Sequence, residues 1–224
     1  MAEACFVDGK TVPIHTIFAI GRNYAAHAAE LNDDVPGSPI VFLKPDTTII
    51  QDGGTIRLPR QSREVHHEAE LVVLLGGGGR DIDDSAALDC VAGYGVGIDA
   101  TARDLQRAAI KEGMPWSVAK GFDTFAPISR FVPAEQVADP HALTLWLDVN
   151  GERRQRGSTG DMVFSLPTLI RHLSTIFTLQ AGDLIFTGTP HGVGPFEHGD
   201  TLEAGLALAD STLLVELRVS ASRD

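Results

Sequence analysis

The sequence predicts a strand-rich mixed α/β fold, and three observations carry that expectation. Short apolar runs bounded by Gly, Pro, Asn and Asp recur along the chain, the pattern of strands joined by turns. Strict alternation runs through Leu143, Leu145, Leu147 and Val149, just ahead of the hairpin dipeptide Asn150-Gly151. Helical spacing is confined to a few stretches, the clearest through Leu166, Leu169, Ile170, Leu173 and Ile176 between Met162 and Leu179. With 224 residues and 43% hydrophobic content the chain can bury a substantial core, and one domain over residues 1–224 is expected.

Charge and composition narrow the function classes. Lys+Arg 18 against Asp+Glu 30 leaves a net charge of −12, and no basic cluster is longer than that around Arg153-Arg154-Gln155-Arg156. Nucleic acid and anionic membranes are therefore poor partners. Cys5 and Cys90 lie far apart without metal-like spacing, which suits a reducing compartment. There is no basic segment leading into an apolar signal core, and no apolar run of membrane-spanning length. The expectation is a soluble, cytoplasmic protein.

In chain order, residues 1–15 read as a short hairpin turning at Asp8-Gly9, followed by the apolar strand Ile17-Phe18-Ala19-Ile20. Gly21-Arg22-Asn23-Tyr24 leads into an alanine-rich helix from Ala25 to Leu31, on which His27 and Glu30 are i,i+3 neighbours. Such a pair is either a surface contact or a carboxylate-oriented general base. After the loop 32–39, the strand Ile40-Val41-Phe42-Leu43 ends at Lys44, which either snorkels to the surface or faces a pocket.

The stretch His66-His67-Glu68-Ala69-Glu70-Leu71-Val72-Val73-Leu74-Leu75 holds the most chemistry. Strand alternation places Glu68 and Glu70 on one face, about 7 Å apart at Cα. They lie either on the solvated end of the strand or around a hard divalent cation, because paired carboxylates beside a core are costly without one. The four glycines at 76–79 lack phosphate-loop and dinucleotide spacing and read as a connection. Asp84 to Cys90 is a short helix, and the glycine-rich strand from Val91 ends at a third acid, Asp99.

Thr101 to Lys111 reads as a helix closed by Gly113, with Arg103 and Gln106 on one face. Lys120 follows in apolar and aromatic company, where burial and nearby acids pull its pKa in opposite directions. The strand Leu184-Ile185-Phe186 opens into Thr187-Gly188-Thr189-Pro190-His191-Gly192-Val193-Gly194, either an anion-binding nest or a tight turn. Strand-like segments at Thr201–Glu203 and Leu213–Val219 close the chain.

Together these segments resemble the fumarylacetoacetate hydrolase family, specifically its short acylpyruvate hydrolase members. The resemblance rests on Gly21-Arg22-Asn23-Tyr24 with His27 and Glu30, on His66-His67-Glu68-x-Glu70-Leu71, and on Asp99-x-Thr101-Ala102-Arg103-Asp104-Leu105-Gln106. Pro115-Trp116-x-x-Ala119-Lys120 and Thr187-Gly188-Thr189-Pro190-x-Gly192-Val193-Gly194 complete it. It implies a β-roll of bent mixed sheets, a homodimer, and one Mg²⁺ or Mn²⁺ on Glu68, Glu70 and Asp99. It further implies that Lys120 meets the substrate's enolate or keto oxygen, that Arg22, Lys44, Arg103, Gln106 and Thr189 line the pocket, and that His27 and Glu30 activate water on a lid.

The activity so implied is hydrolysis of a carbon–carbon bond in a 2,4-dioxo acid, such as fumarylpyruvate or acetylpyruvate, to pyruvate and a carboxylic acid. Oxaloacetate decarboxylation or keto–enol tautomerisation is the alternative, since loss of CO₂ from a chelated 2-oxo acid generates the same pyruvate enolate and needs no attacking water. A metal-binding scaffold without turnover is a third reading.

Overall fold

The structure is a computed structural model that describes residues 2–30 and 34–223. Strands hold 40% of the residues and helices 21%, so the strand-rich mixed α/β expectation holds. A six-stranded mixed sheet runs in the order Val132–Pro133, Val91–Ile98, Ala69–Leu75, Leu184–Phe186, Ile17–Gly21, Ile40–Lys44. Its only parallel pair is Leu184–Phe186 with Ile17–Gly21. A five-stranded sheet runs Glu152–Ser158, Leu143–Val149, Thr201–Leu208, Leu213–Ser222, Thr55–Arg57, antiparallel except at its last pair.

The strand Ala69–Leu75 is buried along its whole length, as a run apolar on both faces requires. Ala69, Leu71, Val73 and Leu75 join the main core with Leu145, Leu147, Leu206 and Leu217 of the five-stranded sheet. Val72 and Leu74 face a second cluster with Phe131, Phe186 and Ile14. Burial of this kind contributes about 25 cal/mol per Å² of apolar surface. Gly97 lies opposite Glu70 in the ladder, and a Cβ there would come within 2.7 Å of Val72 and 2.8 Å of Phe186. Only glycine lets the two faces close.

The helices differ from expectation mainly at their ends. The first spans Ala25–Glu30; Leu31 and residues 32–33 lie outside the described residues. The helix expected from Thr101 starts at Arg103 and ends at Glu112, because Thr101–Ala102 pairs as a strand with Val65–His67. Gly113 closes it with φ 66, the left-handed cap that favours glycine. Leu166–Ile176 is capped by Ser165 and packs Leu166, Leu169, Ile170 and Leu173 on the core, whereas Ile176, expected in the same stripe, is exposed at the helix end. A one-turn helix, Ser117–Lys120, has no counterpart in the sequence reading.

Candidate metal centre

The acidic cluster forms where the chain changes sheets. Val65–His67 pairs with Thr101–Ala102 and Gly194–Pro195, while Ala69–Leu75 pairs with Val91–Ile98 and Leu184–Phe186. Glu68 sits between them in neither strand, so the single continuous strand expected over 66–75 is broken at this residue. Its carbonyl accepts the Asp99 N–H at 2.8 Å, which brings the end of Val91–Ile98 to the same point. One carboxylate oxygen from each of Glu68, Glu70 and Asp99 lies within 4.8 Å of the others, and all three side chains are buried.

Three cations fringe the three acids. Lys120 donates to Glu68 at 2.8 Å and to Asp99 at 2.5 Å, and Lys44 donates to Asp99. Arg103 donates to Glu68 and, at 2.5 Å, to Gln106. Burial works against the Lys120 cation, but Asp99 and Glu68 outweigh it and raise its pKa. Burial also works against the Glu68 carboxylate, yet Lys120 and Arg103 hold it below the usual range. Lys44 goes the other way, pushed down by burial despite Asp99.

Glu70 is the exception. Its carboxylate accepts the Gly188 N–H at 2.8 Å and touches no side-chain cation among the described residues. Burial, then Asp99 and Glu68, push its pKa well up. A buried acid pressed by two like charges lacks a positive partner, and an all-oxygen donor set suits a hard divalent cation. The residues present therefore fit Mg²⁺ or Mn²⁺, held by Glu68, Glu70 and Asp99.

The cluster floors a cavity of about 330 Å³. Arg22, His27, Arg103, Gln106, Lys120 and Thr189 all line it. Lys44 is not among the lining side chains; it is buried against Asp99. His27 Nδ1 lies 3.3 Å from a Glu30 oxygen, and Glu30 also accepts the Gly192 N–H at 3.1 and 3.2 Å. Burial lowers the His27 pKa, although Glu68 and Glu30 favour its cation. The net effect favours the neutral imidazole. Arg22 takes a left-handed backbone, φ 58, and stacks 6.0 Å from the Trp116 ring.

The sequence reading missed Gln155. It is the one buried residue in the strand Glu152–Ser158, and all four of its hydrogen-bonding positions are filled. Its oxygen accepts from His67 Nδ1 at 2.9 Å and the Ala69 N–H at 3.0 Å, and its amide donates to Thr189 Oγ1 at 2.8 Å and the Pro190 carbonyl at 3.0 Å. Thr189 Oγ1 in turn donates to the Ala69 carbonyl at 2.8 Å. This cross-brace ties the five-stranded sheet to the pocket loop and to the residue between the two glutamates. Burial pushes the His67 pKa down to about 4, so its neutral ring donates Nδ1–H to Gln155. A polar residue at the inward position of a strand otherwise rich in arginine was the available signal.

Residues 16–218 match the family of the fumarylacetoacetate (FAA) hydrolase C-terminal region. The chain belongs to the fumarylacetoacetate hydrolase family. Among curated relatives of this family, the mitochondrial oxaloacetate tautomerase of Arabidopsis thaliana is 50% identical over 204 residues, 91% of this chain and 92% of that protein. The mitochondrial oxaloacetate decarboxylase of Dictyostelium discoideum is 44% identical over 90% of this chain and 93% of that protein. Fumarylpyruvate hydrolase from Pseudomonas aeruginosa, solved with Mn²⁺ and pyruvate, superposes with TM-score 0.93 at 36% identity, covering 100% of this chain and 96% of that one. The fold is that of the family. The relatives' names favour oxaloacetate chemistry over the hydrolysis expected first, and no helix among the described residues is long and apolar enough to cross a membrane.

Proposed function

We propose that the protein interconverts the keto and enol forms of a 2-oxo acid, with oxaloacetate as the main substrate. The observation that carries this is the convergence of three buried carboxylates with Lys120 and Arg103 on the floor of a cavity that His27 also lines. When bound, Mg²⁺ or Mn²⁺ would supply Lewis acidity to the 2-oxo group. The chain's own residues then move the proton. Neutral His27, oriented by Glu30, takes it from C3. Negative charge grows on O2, and Lys120, which uses two of its three N–H groups on Glu68 and Asp99, has one left for that oxygen. Return of the proton to O2 yields the enol.

Loss of CO₂ from the same substrate passes through a pyruvate enolate and needs no base, so decarboxylation belongs to the same reading. Hydrolysis of a 2,4-dioxo acid is the second reading, favoured by the His27–Glu30 pair, whose geometry suits deprotonation of water. Water adds to the distal carbonyl, the C3–C4 bond breaks, and pyruvate and a carboxylic acid leave. A homodimer in an aqueous compartment, cytoplasmic as first expected, handling small acids and neither nucleic acid nor membranes, is part of the proposal.

The test follows enol absorbance and pyruvate release in parallel, with oxaloacetate, acetylpyruvate and fumarylpyruvate, in Mg²⁺ or chelator. Metal-dependent acceleration of oxaloacetate enolisation, lost in His27→Ala, is expected. If only the dioxo acids turn over, hydrolysis replaces tautomerisation as the main activity.

A further inference from the structure

We propose that His66, held in one tautomer by Glu64, is a positioning residue that sets the plane of the Arg103 guanidinium against the substrate's carboxylate. The proposal rests on the function above only for the anion that Arg103 meets. His66, Arg103, Gln106 and Arg107 all line the cavity. Two short strands, with Thr101 opposite His66 and Ala102 opposite Val65, bring His66 beside the start of the helix Arg103–Glu112, and the Arg103 N–H donates to the Glu64 carbonyl at 2.8 Å. From there a chain of side chains runs from solvent to the floor. Arg107, with its side chain 58% exposed, holds the Glu64 carboxylate through both terminal nitrogens. Glu64 meets His66 Nε2 at 2.8 Å, and His66 Nδ1 meets Arg103 Nε at 3.4 Å. Arg103, only 4% exposed, ends the chain on Glu68.

The chemistry of the donors fixes each role. Arginine can only donate, so His66 Nδ1 must present its lone pair to Arg103. The ring proton therefore sits on Nε2, where the Glu64 carboxylate accepts it. With both ring nitrogens engaged, His66 lines the cavity but has none left to take a proton from the substrate. Arg103 in turn gives one N–H to His66, one to Gln106 at 2.5 Å and one to Glu68. Contacts on all three nitrogens fix the guanidinium plane, whereas contacts on the terminal pair alone would let it swing about the line that joins them. Two of its five N–H groups, one on each terminal nitrogen, remain for an anion, and that plane sets their direction. Without His66, Arg103 keeps its charge and loses its orientation.

The experiment compares His66→Asn and His66→Gln with the wild type, all loaded with Mg²⁺. The asparagine amide falls where Nδ1 was and can accept from Arg103; the glutamine amide reaches the place of Nε2 and serves Glu64 alone. In ¹⁵N-resolved NMR the Arg103 Nε–H, identified by its absence in Arg103→Lys, should exchange slowly with water in the wild type and in His66→Asn, and be lost in His66→Gln. Calorimetric titration uses oxalate, which carries the adjacent oxygens of a 2-oxo acid and does not react. His66→Gln should bind it about tenfold more weakly, the low end for loss of an outer-shell partner, and His66→Asn should recover most of the affinity. KM for oxaloacetate should follow oxalate affinity while kcat changes little. Glu64 is partly exposed, so Glu64→Ala should fold even if His66→Gln does not, and it should weaken both readouts. If the variant that loses the acceptor keeps signal and affinity, or if His66→Asn loses them equally, the proposal is overturned. The expected NMR and oxalate results without oxaloacetate enolisation leave the positioning role standing and remove the tautomerase reading; enolisation with both readouts unmoved in His66→Gln does the reverse.

Discussion

Replacing Gln155 by Leu should destabilise the protein through hydrogen bonds alone. Leucine nearly conserves the volume, so little cavity or overpacking penalty is added. What is lost is one acceptor and one donor end, each serving two groups: His67 Nδ1–H and the Ala69 N–H on one side, Thr189 Oγ1 and the Pro190 carbonyl on the other. Thr189 keeps its bond to the Ala69 carbonyl, so three groups are deprived. Each buried group left unmatched costs about 1–3 kcal/mol, and because neighbours are not additive the total should be about 3–5 kcal/mol. That is a large share of the 5–15 kcal/mol typical of a native protein. Urea unfolding followed by tryptophan fluorescence at pH 7 should show the midpoint falling by about 1 M or more. The same variant should raise KM, because Thr189 lines the cavity. A loss under 1 kcal/mol would refute the claim that this brace is buried and fully paired.

Three further outcomes follow from the same geometry. Glu70→Gln removes the acid that lacks a cation, so the rise in melting temperature that Mg²⁺ gives the wild type should vanish, and a titration that still shows full stabilisation would remove Glu70 from the ligand set. His27 must be neutral to act as a base and burial lowers its pKa, so the acid limb of the rate profile should lie below pH 6.5. Losing the Glu30 carboxylate, which favours the cation, should move that limb lower still in Glu30→Gln; a shift to higher pH in a kinetic profile would contradict this. Gly97→Ala forces a Cβ to within 2.8 Å of Phe186 and should cost about 1–3 kcal/mol, read as a drop of several degrees in a thermal scan; an unchanged midpoint would mean that the sheet opens without strain.

The parts legible in the sequence were those written by residue type and period. Leu143–Val149 announced its inward face by alternation, and Leu166–Ile176 its stripe by helical spacing. Glu68, Glu70 and Asp99 were visible as acids at the ends of apolar runs. The break at Glu68 was not, because a chain that leaves one sheet for another over a single residue carries no propensity signal; the alternation of 66–75 simply continues through it. Lys44 was placed at the pocket wall, since a lysine at a strand end looks alike whether it meets solvent, substrate or a buried aspartate. Gln155 was hidden by its arginine neighbours, and its four partners come from segments 34 to 88 residues away.

The division between floor and wall carries an evolutionary consequence. Glu68 and Asp99 sit where strands of one sheet give way to those of another, and Glu70 lies one residue inside the ladder opposite Gly97, so a change there disturbs buried structure. The outward turns of Arg103–Glu112 carry no such burden: Ile110 and Lys111 are exposed and can be exchanged without opening the core. New substrates can thus be recruited by editing two turns of one helix while the enolate-forming end is inherited intact.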